Sequence, residues 1–252
     1  MPRLGIIGTG LIGASIGLAA RASGWDVAGY DRDPAAVSGA LVAGAIDAVA
    51  ERDEIYATCN VVAIAAHVSG TLDEIVALGR RDLRGDQLVI DVASVKAPIA
   101  KAAASIAAFV PTHPMAGSER RGPGAARSDL FRDRVWCYVP AGEQRTAQAR
   151  AFIAELGARP VAVDAAEHDR IVALTSHLPQ LLAFAFTRRV GERSTSDPEI
   201  VDALCGPVAR ELLRLGRSSP QMWDEIFRAN ADAIRAEFAR LLEAIDDRRL
   251  SG

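Results

Sequence analysis

Arg3-Leu4-Gly5-Ile6-Ile7-Gly8-Thr9-Gly10-Leu11-Ile12-Gly13-Ala14-Ser15 is the stretch whose reading decides the fold. Arg3–Ile7 is a short apolar run that reads as a buried strand. It leads without a spacer into three glycines, and the residues from Ala14 to Arg21 are small and apolar at helical spacing. Three such glycines are a weak signal alone, but between a strand and a helix they form a dinucleotide-binding turn. Gly8 permits the tight turn, Gly10 lets the backbone approach a pyrophosphate, and Gly13 lets the helix pack closely on the strand. The helix N-terminus then offers N–H groups and a partial positive charge to phosphates.

A second strand, Asp26–Tyr30, ends at Asp31, 18 residues after Gly13. That is close to the spacing expected for the carboxylate that accepts the ribose hydroxyls. An acid there repels a 2′-phosphate and favours NAD, while the neighbouring Arg32 leaves NADP open. Further on, Val37–Ala45 and Gly70–Leu78 read as helices. The continuous apolar run Cys59–Ala66 reads as a strand of a parallel sheet buried on both faces. Gln87–Asp91 is another strand, Pro98 opens a helix through Ala108, and Phe109–Pro111 is a short strand that delivers His113. Asp31, His67, Ser94 and His113 then all fall just past strand ends, on what reads as one rim of one sheet, where open α/β sheets bind ligands. Ser94 serves either the site or the cap of the following helix. For His67 a bystander near the cofactor is the simpler reading.

Thr112-His113-Pro114-Met115-Ala116-Gly117-Ser118-Glu119 places an imidazole, a hydroxyl and a carboxylate in one segment. Pro114 biases His113 away from helix. Gly122–Arg134 reads as a loop with the composition of a lid. Val135–Pro140 is a strand, Thr146–Leu156 a helix and Arg159–Val163 a last strand, so residues 1–164 form an α/β nucleotide-binding domain.

From Ala165 the period changes to helical, and residues 165–252 read as a smaller all-helical domain. Ile171, Leu174, Leu178, Leu181, Leu182 and Ala185 trace an apolar stripe. Thr175-Ser176-His177 sits within it beside Pro179, which should kink the helix or release a carbonyl. Polar groups there are costly unless satisfied or used. Arg210 and Arg214 lie on one helical face at i and i+4. They are either carboxylate holders or a solvated cationic face paired with Glu211. A helix from Ser219 to Leu242 completes the pattern. Fewer than 90 residues with this much apolar face would be marginal alone, so a homodimer through the helical domain is expected.

The chain has 252 residues, 50% of them hydrophobic and 24% charged, with a net charge of −3. That is a globular composition, with no basic footprint for nucleic acid. No apolar run approaches the ~18 residues of a membrane span. Cys59, Cys137 and Cys205 are odd in number and widely spaced, which points to a reducing, cytoplasmic setting and to no metal site.

Taken together, Gly8–Ser15, Asp91-Val92-Ala93-Ser94-Val95-Lys96, His113–Glu119, Thr175–Pro179 and Met222-Trp223 resemble the prephenate/arogenate dehydrogenase family of tyrosine biosynthesis. The resemblance implies a Rossmann-type doubly wound sheet followed by a helical dimerisation domain. It also implies an NAD(P)-dependent oxidative decarboxylation of a small cyclohexadiene acid, prephenate or arogenate. His113 and Ser94 would then be catalytic, with His113 accepting the proton of the ring 4-hydroxyl and Ser94 orienting it. Arg214 would bind the substrate carboxylate, Arg210 and His177 would lie on the substrate side, and Glu119 would control access. The cofactor set is Gly8, Gly10, Leu11, Ile12, Gly13, Asp31, Arg32, Ala65 and Ser94. His67 departs from the family pattern, which has proline at that position. A chain ending at Gly252 is expected to carry neither a chorismate mutase segment nor a C-terminal regulatory domain, so tyrosine control would act at the active site. Two alternatives stay open: the same reaction on 4-amino-4-deoxyprephenate in an antibiotic pathway, and a non-catalytic NAD-binding sensor.

Overall fold

The computed structural model describes residues 1–117, 120–194 and 198–250. The chain divides into two compact units, Met1–Ala166 and Glu167–Gly252. Among the described residues no helix is long and apolar enough to cross a membrane, and no cluster of His, Cys, Asp and Glu is arranged to hold a metal ion.

The first unit is built on a six-stranded parallel sheet. Its strands are β1 (Arg3–Ile7), β2 (Asp26–Tyr30), β3 (Ala48–Val49), β4 (Val61–Ile64), β5 (Leu88–Asp91) and β6 (Phe109–Val110). They run in the order β3-β2-β1-β4-β5-β6. The order reverses at β1, the first strand of the glycine motif, and this is where a doubly wound sheet opens its ligand crevice. Helices α1 (Leu11–Ala22), α2 (Pro34–Val42), α3 (Arg52–Thr58), α4 (Val68–Leu78) and α5 (Ala97–Ala103) connect these strands. Two apolar clusters flank the sheet. One gathers Leu4, Ile6, Ile16, Val27 and Ile90, and the other gathers Ile7, Ile55, Val62, Ile64 and Phe109. The short β3 and the helix α3 carry no strong period and were not anticipated.

The largest departure from the sequence reading lies after β6. Strands β7 (Thr112–Pro114), β8 (Val135–Tyr138) and β9 (Arg159–Ala162) form a second, three-stranded sheet in the order β7-β8-β9. β7 and β8 are antiparallel and β8 and β9 parallel. His113 therefore sits inside a strand of this second sheet, paired opposite Cys137, while still following closely on the end of β6. Pro111 marks the crossing. It has no N–H to continue the ladder of β6, and its carbonyl accepts Val139 N (2.9 Å) from beyond β8. Helix α6 (Glu143–Glu155) packs its Phe152 and Ile153 into the first apolar cluster. The expected lid, Gly122–Arg134, is fastened instead. Arg127 N donates to Ser15 Oγ in α1 (3.1 Å), and Phe131 is fully buried beside Trp136.

Helix α7 (Ala165–Val172) opens the helical part. It runs through a π-helical turn, Ala173–His177, into α8 (Leu178–Ser194). Pro179 supplies no N–H, and the wider turn just before it is how the helix accommodates that loss without breaking. Then follow α9 (Pro198–Leu204), α10 (Pro207–Leu215), α11 (Pro220–Ala229) and α12 (Ala231–Leu250). The single helix expected from Ser219 to Leu242 is two, because Asn230 leaves helical geometry at φ −118°. The buried core of this unit is small, with Ala173, Leu178 and Ile234 at its centre. Of the expected stripe, Leu178 is buried while Ile171, Leu174, Leu181 and Leu182 are exposed, as are Phe238, Leu242 and Ile245 on α12.

Candidate active site

The glycine turn has the geometry its sequence requires. Gly8 adopts φ +97°, and a Cβ there would stand 2.5 Å from the carbonyl oxygen of Ala65, at the end of the neighbouring strand. A Cβ on Gly13 would stand 1.9 Å from the carbonyl of Gly8, so helix and turn touch backbone to backbone. Around Gly10 nothing lies within 4 Å of the Cβ position. The cradle is open where a pyrophosphate would approach. Gly10 is the N-cap of α1, no side chain caps the helix, and its first turn carries no acidic residue. The N–H groups of Leu11, Ile12 and Gly13 thus form a suitable anion seat. The residues present fit a dinucleotide.

Asp31 is held at the tip of β2. Its Oδ2 accepts Thr9 N (2.7 Å) and Thr9 Oγ1 (3.2 Å), and its Oδ1 accepts Asp33 N (3.0 Å). The carboxylate is thus tied to the glycine turn through Thr9. Arg32 leans away toward α4, with its guanidinium 3.9 Å from Asp73 and both side chains largely exposed. His67 is exposed at the N-cap of α4 and gives that helix no side-chain cap.

Ser94 lies in the loop between β5 and α5, half-buried. It is not the helix cap, since Lys96 occupies the N-cap position of α5. That loop is closed by a buried ion pair. Lys96 Nζ donates to Asp91 Oδ2 and to the carbonyl oxygen of Thr112 (2.6 Å). Asp91 Oδ1 accepts Thr112 N (2.9 Å), and its Oδ2 accepts Ala93 N (2.9 Å). The Thr112 hydroxyl donates to Asp91 O and accepts from the indole of Trp136 (2.9 Å). Asp91, Lys96, Thr112 and Trp136 are each 0% exposed. His113 follows directly on Thr112 and is half-buried. The structure thus joins the loop of Ser94 to the strand of His113 through one polar node. Sequence reading missed the node, although Asp91 and Lys96 stand at both ends of the Asp91–Lys96 motif. Charged residues bracketing a short loop after a buried strand were the available signal.

In the helical unit, Asn230 organises a second buried network. Its Nδ2 donates to Asp169 O (2.8 Å) and lies 3.1 Å from His177 Nδ1. An amide nitrogen only donates, so Nδ1 is the acceptor and the neutral ring carries its proton on Nε2. His177 is 1% exposed and packs edge-on to Trp223, with ring centroids 6.0 Å apart. Burial pushes its pKa down to about 4, against the opposing pull of Asp169. His168 Nδ1 lies 2.8 Å from Asp169 Oδ1, and both side chains are buried. Gln180, also buried, donates to Leu215 O (2.8 Å) at the end of α10.

Arg210 and Arg214 are both exposed on α10. Arg214 meets Glu211 bidentately, Nε to Oε2 at 3.0 Å and Nη2 to Oε1 at 2.7 Å, in a pair about half exposed. The guanidinium holds the Glu211 carboxyl below its ordinary range. Such an exposed pair is screened by solvent and contributes little to stability, so a competing carboxylate can displace it at small cost. Glu119 lies outside the described residues.

Comparison with known proteins gives this arrangement a family. Residues 16–162 match the family profile described as prephenate dehydrogenase, nucleotide-binding domain, and residues 164–249 match prephenate dehydrogenase, dimerization domain. The chain belongs to the prephenate dehydrogenase family. The first match begins beyond Gly13, so the reading of the glycine turn stands on its own geometry.

A probable prephenate dehydrogenase of Streptomyces niveus, NovF, is 34% identical over 94% of this chain and 65% of its own length. The chain thus spans just under two thirds of that relative. A cyclohexadienyl dehydrogenase of Zymomonas mobilis is 32% identical over 92% of this chain and 82% of its own. In fold, the chain is similar to prephenate dehydrogenase from A. aeolicus, solved with hydroxyphenyl propionate and NAD+. There the TM-score is 0.89 and the identity 24%, over 98% of this chain and 89% of that one.

Proposed function

We propose that this family member catalyses the NAD-dependent oxidative decarboxylation of prephenate, arogenate or both. The observation that carries the reading is the pairing of an open dinucleotide cradle with a half-buried His113, inside a chain matched along nearly its whole length by the two halves of the family. Gly8, Gly10, Leu11, Ile12, Gly13, Asp31 and Ala65 would seat the dinucleotide, with Arg32 and Ser94 beside it. Bound there, NAD would accept a hydride from ring carbon 4 of the substrate.

His113 takes the proton of the 4-hydroxyl as that hydride leaves, so carbon 4 becomes a carbonyl. The bond from ring carbon 1 to its carboxylate then breaks, carbon dioxide leaves, and the bonding electrons complete the aromatic ring. The carbonyl oxygen picks up a proton and becomes the phenol. The balance is one substrate and NAD+ to one phenol product, carbon dioxide and NADH. Ser94 orients His113, and Arg214, with Arg210 one turn earlier, exchanges Glu211 for a substrate carboxylate. His177, held neutral with Nε2–H available, acts as a hydrogen-bond donor and not as a base. Glu119 is assigned to access.

The exposed apolar side chains of the helical unit and its match to a dimerization domain support a homodimer built through that unit. All three cysteines are free, which suits a reducing, cytoplasmic setting.

The test is NADH formation with prephenate, arogenate or 4-amino-4-deoxyprephenate as sole substrate. Turnover of either of the first two supports the reading. Turnover of the amino analogue alone, or NAD binding without turnover of any of the three, overturns it.

A further inference from the structure

We infer that the buried Asp91–Lys96 ion pair is the positioning device of the active site, fixing the loop of Ser94 and the strand of His113 in one register. The inference rests on the roles proposed above for those two residues, and it assigns function to Lys96, Asp91 and Thr112, which touch neither substrate nor cofactor in this account.

The geometry is specific. Asp91 ends β5, and Lys96 is the N-cap of α5 five residues later, so their ion pair closes the intervening loop like a clasp, with Ser94 inside it. The same two side chains grip a third segment. Asp91 accepts the Thr112 N–H, and Lys96 donates to the Thr112 carbonyl. That carbonyl belongs to the peptide joining Thr112 to His113, so the ammonium holds the bond from which His113 hangs. Trp136 secures the Thr112 hydroxyl from β8, the strand opposite His113. Every polar atom of the Asp91 carboxylate and of the Thr112 backbone in this node has a partner.

Desolvating an ion pair costs several kcal/mol per charge, and a pair of apolar residues often serves stability as well or better. A fully buried pair is therefore poorly explained by stability alone. Its presence is explained if it fixes geometry. A displacement of about 1 Å in a reacting group costs on the order of 100-fold in rate. Arginine is not a conservative replacement here, because its larger planar fork donates in a fixed geometry, whereas the compact ammonium carries three rotatable donors.

The test uses the full-length protein with Lys96→Met, and with Thr112→Val and Thr112→Ser, alongside the wild type. Valine keeps the shape of threonine and removes the hydroxyl, while serine restores it. Activity is measured on whichever substrate the wild type turns over, and NAD binding by calorimetry. The expected result for Lys96→Met is a loss of kcat of about 100-fold, with the NAD dissociation constant and substrate KM within threefold of wild type. Thr112→Val should lose about tenfold in kcat and Thr112→Ser should recover most of it. A folded Lys96→Met protein with kcat within threefold of wild type would overturn the inference, as would Thr112→Val and Thr112→Ser proteins with equal kcat.

The His113 ring resonance, assigned by its disappearance in His113→Asn, gives a readout that needs no turnover. It should shift or broaden in Thr112→Val and return in Thr112→Ser. An unchanged resonance in Thr112→Val overturns the inference even if the wild type turns over none of the substrates offered. Should Lys96→Met not fold, the Thr112 pair alone decides the matter.

Discussion

Lowering the pH should loosen the helical unit through one residue, His177. Burial holds its pKa to about 4, against 6.5 for the unperturbed group. Between those values the unfolded chain binds a proton that the folded one refuses, so stability rises with pH across that window. The His177 contribution is complete above about pH 6.5 and is lost progressively as the pH falls toward 4. A difference of about 2.5 units corresponds to ~3 kcal/mol. The comparison variant is His177→Gln, whose amide oxygen can still accept from Asn230 but cannot titrate. Hydrogen exchange of peptides covering α7, α8, α11 and α12, corrected for the intrinsic pH dependence, confines the readout to this unit. The wild type should lose ~3 kcal/mol more protection than the variant between pH 7 and pH 4. Equal losses in the two proteins would refute the lowered pKa of His177.

Three further outcomes follow from the geometry. Gly10→Ala should leave the thermal midpoint within about 1 °C, since its Cβ meets nothing within 4 Å, yet weaken NAD by at least tenfold; Gly13→Ala, driven into the Gly8 carbonyl, should lower both. Glu211→Gln should release Arg214 and lower the substrate KM a few-fold, while Arg214→Gln should raise it at least tenfold, both read from initial rates. Leu181→Asp with Leu242→Asp should convert the proposed dimer to monomer in sedimentation, because both leucines are exposed on the helical unit and a charge on a buried interface is unpaired.

Local chemistry made some parts legible in the sequence and long-range pairing hid others. The glycine turn was readable because its glycines stand at a fixed local spacing between a strand and a helix, although the contact that confines Gly8 comes from Ala65 on a distant strand. Asp31 was readable by spacing, and the parallel strands by their apolar runs. The second sheet was not readable as such. Two of its three strands, β8 and β9, were found, but β7 was not, because its pairing with β8 spans more than twenty residues and leaves no local mark, so His113 was read as lying just past β6 and not within a second sheet. The break at Asn230 was missed because asparagine is tolerated within helices. Its role appears only when Asp169 and His177, some fifty to sixty residues away, are brought to its amide. Arg214 shows the reverse. The sequence offered a carboxylate holder or a face paired with Glu211, and the structure shows the pairing without removing the first role.

The proposed active site couples a nicotinamide cradle to a base that would act on a cyclohexadiene acid. The most direct measurement is NADH formation by the purified protein with NAD and prephenate or arogenate, repeated with His113→Asn. Turnover of at least one of the two substrates is expected, with a loss of about 100-fold or more in kcat in the variant and NAD binding retained. Binding of NAD without turnover of either substrate, or a His113→Asn protein as active as the wild type, would contradict that proposal.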